Sequence, residues 1–326
     1  MQRKYRIRKL ALSLLLTAAV FPLWGAATLQ AQDFPNKPIN LVIPSAAGGQ
    51  ADIMARLLTP HSNEILGQPM IIQVKPGGGG AIGAEQVYQS KPDGYTLAMG
   101  KANWSSILPA LEGRSRGPDD MDAVCRINSA YTIYFVQANS PFKKFKDVID
   151  YAKANPGKLT YGNSGVWSLT DLEWRWIEQK AGIQTRNVAY DGGGASIIGL
   201  LGGHVMVAAF SPGAGLPHFK AGKLRPLCFA GPKRLAELPN VPTLIEEGFD
   251  TGLDGNWQGI LAPKGTPKPV IEKLAAGFKK MTENKQAIAG MAQLSEEFSY
   301  MGPAEFSKYW HKDFQIYKDM AKMFKK

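Results

Sequence analysis

Cysteine and histidine are scarce in this chain of 326 residues, which contains two cysteines and four histidines. The spacing of Cys125 and Cys228 matches no metal-binding motif, and two cysteines are too few for a disulfide scaffold. The histidines are far apart, and none falls in a pattern such as His-Glu-x-x-His. The sequence therefore carries no local signature of a metal site, although a Ser-His-Asp set can still assemble in space.

Nucleotide-binding signatures are incomplete. The stretch GGGAIG, residues 78–83, satisfies Gly-x-Gly-x-x-Gly only because it lies in a run of four glycines. An acidic residue that binds ribose should follow about 20 residues later, but Lys101 and Ala102 stand there. Gly-Lys-Ser/Thr is absent throughout, which excludes a Walker loop. We expect no cofactor.

No long hydrophobic run occurs after the first thirty residues. The N-terminus joins a basic stretch to LALSLLLTAAVFPLWGAA, which contains 18 uncharged residues, and a small residue, Ala31, follows in LQAQD. This layout is typical of a secretory signal. It predicts a signal peptide over residues 1–31, cleavage near Ala31 and a periplasmic location. An uncleaved membrane anchor is the alternative.

The excess of positive charge is modest once the signal is removed. The formal charge of +11 includes five basic residues of the signal, which leaves +6. The remaining Lys and Arg residues are interspersed with acids, so the sequence predicts no nucleic-acid partner. A mild positive field favours anionic ligands.

Strand-like and helix-like runs alternate along the rest of the chain. This alternation predicts an α/β fold with parallel-type sheets covered on both faces. The middle of the chain is expected to form one lobe, and the two ends together the other. An apolar stripe at helical spacing over residues 303–326 predicts a helix that docks on the protein's own core.

One pattern occurs three times: a strand, a glycine-rich turn and a helix start, at IPSAAGGQAD, TYGNSGVWS and AYDGGGAS. Open α/β sheets bind ligands at the carboxyl ends of their strands. Helix starts leave backbone N–H groups unpaired and carry partial positive charge. If the three turns converge, they form a set of N–H donors for a carboxylate. The alternative is that each glycine pair only makes a tight turn.

The same stretches resemble the Bug family, the periplasmic solute-binding receptors of tripartite tricarboxylate transporters. The resemblance runs from about Phe34 to the C-terminus and includes GGQADIMAR, KPGGGGAIGAE, YAKANPGKLTYGNSG and LPNVPTLIEEG. It implies a type II periplasmic-binding-protein fold, with two lobes joined by two crossing strands near 122–130 and 224–230. Lobe 1 would comprise residues 33–128 plus 228–326, and lobe 2 residues 129–227. The family binds small carboxylates through main-chain N–H groups and bridging waters, and membrane partners carry the ligand inward.

The resemblance also implies a set of ligand-binding residues, drawn from a first-lobe loop, two second-lobe loops and positions near the cleft. They are Ser45, Ala46, Ala47, Gly48, Gly49, Asp52, Trp104, Asn163, Ser164, Gly165, Trp167, Ser168, Tyr190, Asp191, Gly192, Gly193 and Ser211. Asp52 is expected to orient its loop rather than contact an anion. The resemblance places Cys125 and Cys228 on neighbouring hinge strands, so a disulfide across the hinge is one hypothesis and two buried thiols the other.

Several residues depart from the family pattern. Trp104 and Trp167 stand where small residues are common, and Phe210 with Ser211 replaces a common Asp-Asn pair. These changes suggest a ligand that is bulkier or more aromatic than a plain dicarboxylic amino acid. The alternative is that both tryptophans pack into the lobes.

Four other residues are expected to serve no binding role. Trp257 is predicted to lie in the core, and Lys101, Arg114 and Arg116 are predicted to be solvated.

The sequence thus predicts a monomeric, non-catalytic receptor for a small organic carboxylate, which closes around its ligand by hinge motion. Its closed form would dock on membrane transporter subunits. A carrier that reports to a membrane sensor kinase is one rival. A hydrolase that uses Ser164 is another, although GNSGV is not Gly-x-Ser-x-Gly.

Overall fold

The computed structural model describes residues 34–112 and 116–324. The predicted signal peptide with its cleavage site near Ala31 lies outside these residues, and so does Arg114. No helix within the described residues is both long enough and apolar enough to span a membrane.

The described residues form two five-stranded sheets with the same internal arrangement. The strands are β1 (Ile39–Ile43), β2 (Met70–Val74), β3 (Thr96–Lys101), β4 (Met121–Ala130), β5 (Ile133–Gln137), β6 (Thr160–Asn163), β7 (Arg186–Ala189), β8 (Val207–Phe210), β9 (Leu224–Phe229) and β10 (Asn256–Pro263). The first sheet has the order β2-β1-β3-β10-β4 and the second β7-β6-β8-β5-β9. In each sheet, the first three strands are parallel, the fourth runs antiparallel to them, and the fifth pairs antiparallel with the fourth.

Helices cover both sheets. They are α1 (Gln50–Leu58), α2 (Ser62–Leu66), α3 (Ala81–Tyr88), α4 (Leu108–Leu111), α5 (Phe145–Ala154), α6 (Leu169–Ala181), α7 (Gly193–Leu201), α8 (Pro212–Lys220), α9 (Lys268–Thr282), α10 (Lys285–Gln293) and α11 (Pro303–Phe324). A π-helix, Asn103–Ile107, leads into α4. The first lobe is the unit around the first sheet, and the second lobe the unit around the second. The predicted two-lobed α/β architecture is confirmed.

Local sequence explains where α6 begins and ends. The Ser168 hydroxyl accepts a hydrogen bond from the backbone N–H of Asp171 at 3.3 Å, which caps the first turn. Gly182 ends the helix in the left-handed conformation, with φ of 64°. Because Ser168 is the cap, the first turn of α6 begins at Leu169, and the N–H groups of that turn have no partner within the helix.

The first sheet buries apolar side chains on both faces. Along β10, Ile260 packs into one cluster, whereas Trp257 and Leu261 pack into the other. The ring of Trp257 meets that of Phe306 in α11 at a centroid distance of 5.1 Å. Trp257 is fully buried, and α11 docks on the core as the sequence predicted.

The chain passes between the lobes at two places. It crosses first from β4 to β5. After β9 it stays against the second sheet, since Leu238, Leu244 and Phe249 pack in the clusters of that lobe. It rejoins the first sheet at β10. The return therefore comes later than residue 228, the position that the resemblance implied.

The hypothesis of a disulfide across the hinge is wrong. Both cysteines are free and buried. Cys125 lies on β4, in a core cluster of the first sheet, and Cys228 lies on β9, in a core cluster of the second. The two strands are not neighbours, because β4 pairs with β10 and β9 pairs with β5.

A separate apolar cluster joins the two lobes. Leu172 of α6 comes from the second lobe, and it packs with Ile107, Leu111, Tyr317 and Met320 of the first. We call this group the inter-lobe cluster. It holds α6 against α11 on one side of the hinge.

Candidate functional site

A cleft of about 620 Å³ lies between the two lobes and is lined by residues of both. Six of the predicted ligand-binding residues line it: Gly48, Ser164, Ser168, Gly192, Gly193 and Ser211. The others lie outside the lining: Ser45, Ala46, Ala47, Gly49, Asp52, Trp104, Asn163, Gly165, Trp167, Tyr190 and Asp191. The starts of α1, α6, α7 and α8 all reach the cleft.

Asp52 orients the first-lobe loop, as predicted. Its carboxylate accepts the backbone N–H of Gly48 at 2.8 Å and pairs with Arg56 at 3.0 Å. Burial raises the pKa of Asp52, but these two partners more than offset it, so the pKa lies below its ordinary value. Gly48 has φ of 74°, a conformation that glycine adopts without steric cost.

The Gly48 N–H is therefore used inside the loop rather than offered to a ligand. In the first turn of α1, the backbone N–H groups of Gln50, Ala51 and Asp52 have no acceptor within the described part of the chain. Gln50 also lines the cleft. The free N–H donors of the first lobe therefore begin at Gln50, two residues after Gly48.

The second-lobe loop before α6 likewise consumes its own amides. The N–H groups of Ser164, Gly165 and Trp167 bind Thr170 Oγ1, Asn163 Oδ1 and Asp171 Oδ2, each at 3.0 Å. Ser164, Gly165 and Trp167 therefore shape this loop, and their N–H groups are not free to bind a ligand.

The free donors of α6 belong to its first turn. Leu169 and Thr170 line the cleft, and their N–H groups have no acceptor among the residues that the structure describes. Neither was predicted as a site residue. The signal was present, since a Ser168 cap places the next two residues at the open end of the helix.

The starts of α7 and α8 complete the second-lobe wall. Gly192 donates its N–H to the Tyr190 carbonyl at 3.0 Å, whereas Gly193 and Gly194 begin α7 and line the cleft. Gly194 was missed by the sequence reasoning. Tyr190 packs into the second-lobe core instead of the cleft.

The two walls of the cleft touch where α8 begins. Ser211 precedes α8, and Gly213 in its first turn lies against Leu294 of the first lobe. A Cβ atom on Gly213 would come within 2.4 Å of the Leu294 carbonyl oxygen. Only glycine permits this approach.

Both non-family tryptophans pack into the protein. Trp104 is 2% exposed and lies in a core cluster of the first lobe. Trp167 packs beside the inter-lobe cluster, with the Arg175 guanidinium 5.0 Å from its ring centre. The expectation that these rings form the ligand surface is therefore wrong for Trp104, and the structure places Trp167 away from the lining as well.

Lys101 is not an exposed surface residue, which corrects the prediction that it is solvated. It is the last residue of β3, is partly buried and lines the cleft. Burial lowers its pKa. Arg116, in contrast, is exposed and pairs with Glu85 at 3.2 Å.

Glu296 also lines the cleft and was not predicted at all. Its carboxylate accepts hydrogen bonds from Gln50 Nε2 at 2.7 and 2.9 Å and from Asn128 Nδ2 at 2.9 Å. Burial raises its pKa, and these two amides lower it, with a net rise above the ordinary value. The cleft thus holds one cation and one carboxylate from the first lobe.

The lining offers no nucleophile with an adjacent base. The Ser164 hydroxyl lies 3.0 Å from Thr170 Oγ1, and no histidine lines the cleft. Within the described residues, no group of three His, Cys, Asp or Glu side chains could hold a metal ion.

Comparisons with known proteins agree with this geometry. Residues 54–320 match the family described as tripartite tricarboxylate transporter family receptor. A Cupriavidus necator protein described as "UPF0065 protein in gbd 5'region" is 36% identical over 320 residues, covering 95% of this chain and 94% of that protein.

Two solved structures extend the comparison. Periplasmic binding protein BugD is 26% identical with a TM-score of 0.74, covering 90% of this chain and 98% of that one. An R. palustris protein solved with adipate is 26% identical with a TM-score of 0.76, covering 89% and 98%. BugD is a periplasmic binding protein and the matching family is one of receptors, which confirms the expectation of a non-catalytic receptor. The chain belongs to the tripartite tricarboxylate transporter receptor family, and its resemblance to Bug proteins is confirmed.

Proposed function

We propose that this chain is a periplasmic receptor that captures a small organic carboxylate between its lobes through backbone N–H groups. The closed complex would deliver the ligand to membrane subunits of a tripartite tricarboxylate-type transporter. The observation that carries this proposal is the meeting of four helix starts, from both lobes, at one cleft.

The electrostatics of the cleft favour an anion. Each helix start carries roughly half a positive charge and unpaired N–H groups. Lys101 brings the amino group of a basic side chain to the same cleft from the first lobe. A carboxylate can accept hydrogen bonds from several of these donors at once, and it replaces the water that they lose when the lobes close.

The available interactions are strong enough for a receptor. A hydrogen bond to a charged group contributes about 1.5–3 kcal/mol net. Three or four of them exceed the roughly 8 kcal/mol of a micromolar complex, before the costs of ordering and desolvation. The adipate in the R. palustris relative supports a carboxylate as the ligand class.

Aromatic character of the ligand has weaker support than the sequence suggested. Trp104 and Trp167 do not line the cleft, and its aromatic side chains are Tyr131 and Phe210. The ligand we propose is therefore a small carboxylate selected by charge and hydrogen bonds.

Export completes the proposal. The signal over residues 1–31 would be removed near Ala31, and the mature chain would act as a monomer in the periplasm.

The test compares two glycine variants of the mature protein. Gly194 lines the cleft and has an ordinary φ, with nothing within 4 Å of an added Cβ. Gly194→Val should fold normally but fill the donor site of α7. We expect micromolar carboxylate binding in the wild type by calorimetry and at least a hundredfold loss in the variant.

Gly302→Val is the matched control, because Gly302 also has open space around it and lies outside the lining. It should bind like the wild type. Ligand binding raises stability by RT ln(1 + [L]/Kd), so a thermal-shift panel of mono- and dicarboxylates can find the probe. If neutral compounds alone raise Tm, or if Gly194→Val binds normally, the proposal fails.

A further inference from the structure

We propose that Tyr131 is a hinge latch, a positioning residue whose side chain ties the two lobes together and so sets how long a captured ligand stays bound. Tyr131 lies in the two-residue segment between β4 and β5, where the chain first passes between the lobes. We call residues 131–132 the crossing segment. The inference rests on the proposed function and adds to it the residue that couples the cleft to the hinge.

The aromatic ring of Tyr131 packs on the second lobe. It meets the ring of Phe229 on β9 edge-on, at a centroid distance of 5.8 Å, and it lies against the apolar cluster that contains Phe229. Tyr131 also lines the cleft. The same side chain therefore contacts the core of the second lobe and borders the space that a ligand would fill.

The hydroxyl of Tyr131 is bound at the other place where the chain passes between the lobes. It donates to Oδ1 of Asp254. Asp254 lies in the segment 250–255 that leads back to β10, which we call the return segment. The first lobe holds Asp254, since Arg126 Nη1 on β4 pairs with its Oδ2 at 2.6 Å. Tyr131 thus links the second lobe to a carboxylate that is fixed to the first.

The crossing segment and the return segment touch beside this hydrogen bond. A Cβ atom on Gly255 would come within 2.8 Å of the Ala130 carbonyl oxygen and within 3.0 Å of the Tyr131 ring. The Ser129 hydroxyl donates to the Asp254 carbonyl. Because the two segments are in contact, neither can bend without displacing the other, and we expect the lobes to rotate about this point.

Helix α6 anchors both segments to the second lobe close to the latch. The Thr132 hydroxyl donates to Glu173 at 2.8 Å, and Trp176 Nε1 donates to the Asp250 carbonyl at 3.2 Å. The return segment is therefore held by the second lobe at residue 250 and by the first at residue 254. A hinge concentrates its change of backbone conformation in a few residues, and here these residues lie between the two anchors.

The latch is formed while the lobes are in contact across the cleft, at Gly213 and Leu294. A hydrogen bond to a carboxylate is stronger than one between neutral groups. Losing this bond should favour arrangements in which the cleft walls lie apart. Ligand would then leave faster, whereas its capture should be little changed, because the N–H donors at the helix starts remain in place.

The experiment measures both rate constants in the mature protein. Calorimetry gives Kd, and NMR line shapes of the probe give the dissociation rate constant. The probe is whichever of acetate, succinate and adipate binds the wild type most tightly. Tyr131→Phe keeps the ring and removes the hydroxyl. We expect the dissociation rate constant to rise about tenfold or more, and the association rate constant to change by less than about threefold.

Tyr300→Phe is the matched control. The Tyr300 hydroxyl donates to the Ala275 carbonyl at 2.9 Å within the first lobe, away from the hinge. Its loss removes a tyrosine hydrogen bond of the same kind, and both rate constants should stay at their wild-type values. A general loss of stability would affect both tyrosine variants, whereas a latch affects only Tyr131→Phe.

A double-mutant cycle identifies the partner of the hydroxyl. Asp254→Ala removes the acceptor and should itself speed dissociation. Adding Tyr131→Phe to it should then raise the dissociation rate constant by less than about twofold, because both changes delete the same bond. If the two single effects multiply in the double variant, the tie between Tyr131 and Asp254 is overturned.

Hydrogen exchange tests the latch without a ligand. Backbone amides of the return segment should exchange about tenfold faster in Tyr131→Phe than in the wild type or in Tyr300→Phe. Unchanged exchange, or an unchanged dissociation rate constant, overturns the latch while the proposed function stands. If none of the three carboxylates binds the wild type, the proposed function is wrong, and the exchange measurement alone decides whether the latch exists.

Discussion

The starts of α1 in the first lobe and α6 in the second are built alike. In each, an aspartate on the helix accepts the backbone N–H four residues earlier and pairs with the arginine four residues later. Asp52 binds Gly48 and Arg56, and Asp171 binds Trp167 and Arg175, all within 2.8–3.0 Å. Both earlier residues have positive φ, 74° at Gly48 and 59° at Trp167.

The two lobes differ in what surrounds this shared arrangement. The first lobe adds Lys101 and Glu296 to the cleft, whereas the second adds only uncharged groups. Under the proposed function, the helix starts of both lobes would hold the carboxylate, whereas the charged side chains that line the cleft come from the first lobe. A positive φ at Trp167, a costly conformation for a bulky residue, shows that the loop geometry outweighs the strain.

The largest losses of stability and affinity are expected when either aspartate is removed. Asp52→Ala and Asp171→Ala each delete a buried carboxylate with at least two hydrogen-bonded partners, so we expect a loss of stability on the order of 3 kcal/mol and a loss of carboxylate affinity. Chemical unfolding and calorimetry measure the two effects. Asp150→Ala, which removes an exposed partner of Lys146, is the control and should cost less than about 1 kcal/mol. Normal affinity in one aspartate variant would break the equivalence of the two lobes.

Each lobe also buries one carboxyl group whose pKa is raised to about 7, chiefly by burial. Glu173 accepts from the Thr132 hydroxyl at 2.8 Å, and Asp313 accepts from Trp257 Nε1 at 2.8 Å. Because both pKa values are raised, the folded state binds a proton at each carboxyl group more tightly than the unfolded state does. Stability should therefore fall as pH rises from about 4.5 to 7, by on the order of 3 kcal/mol for each group.

Glu173→Gln and Asp313→Asn test this lobe by lobe. Each amide still offers an oxygen to its donor but does not titrate. Each variant should lose its share of the pH dependence in urea unfolding measured between pH 4.5 and 8, and the double variant should lose both shares. An unchanged slope in either single variant would show that its carboxyl does not titrate in that range.

The smallest effect is expected at the cysteines, because Cys125 and Cys228 belong to separate sheets. Burial raises the pKa of both thiols, which makes them slow to react in the folded protein. A thiol reagent should label two groups under denaturing, non-reducing conditions. A reductant should change Tm by less than about 1 °C, whereas loss of a disulfide would cost about 2–4 kcal/mol. Labelling of fewer than two thiols would instead indicate that Cys125 and Cys228 form a disulfide.

Local patterns in the sequence predicted much of the fold. The alternation of strands and helices gave both sheets, and Trp257 and the C-terminal stripe were correctly assigned to the core. These features depend on neighbours along the chain, where periodicity and caps act. The three glycine turns also do meet at one cleft.

The parts that sequence missed depend on contacts between distant segments. Glu296 reaches the cleft from a turn after α10, and its partners lie 246 and 168 residues away. The separation of Cys125 from Cys228 depends on strand order, which the chain order does not reveal. Lys101 was within reach of sequence reasoning, because it ends a strand whose carboxyl end was expected to face the ligand.

The distribution of tryptophan gives the protein an internal optical reporter. Trp104, Trp174, Trp257 and Trp310 are sealed in the cores of single lobes, whereas Trp167 and Trp176 pack beside the cluster that joins α6 to α11. When the lobes rotate, only the surroundings of that second pair should change. Ligand-dependent fluorescence would then follow the motion of the hinge without an added dye, against a constant background from the four sealed rings.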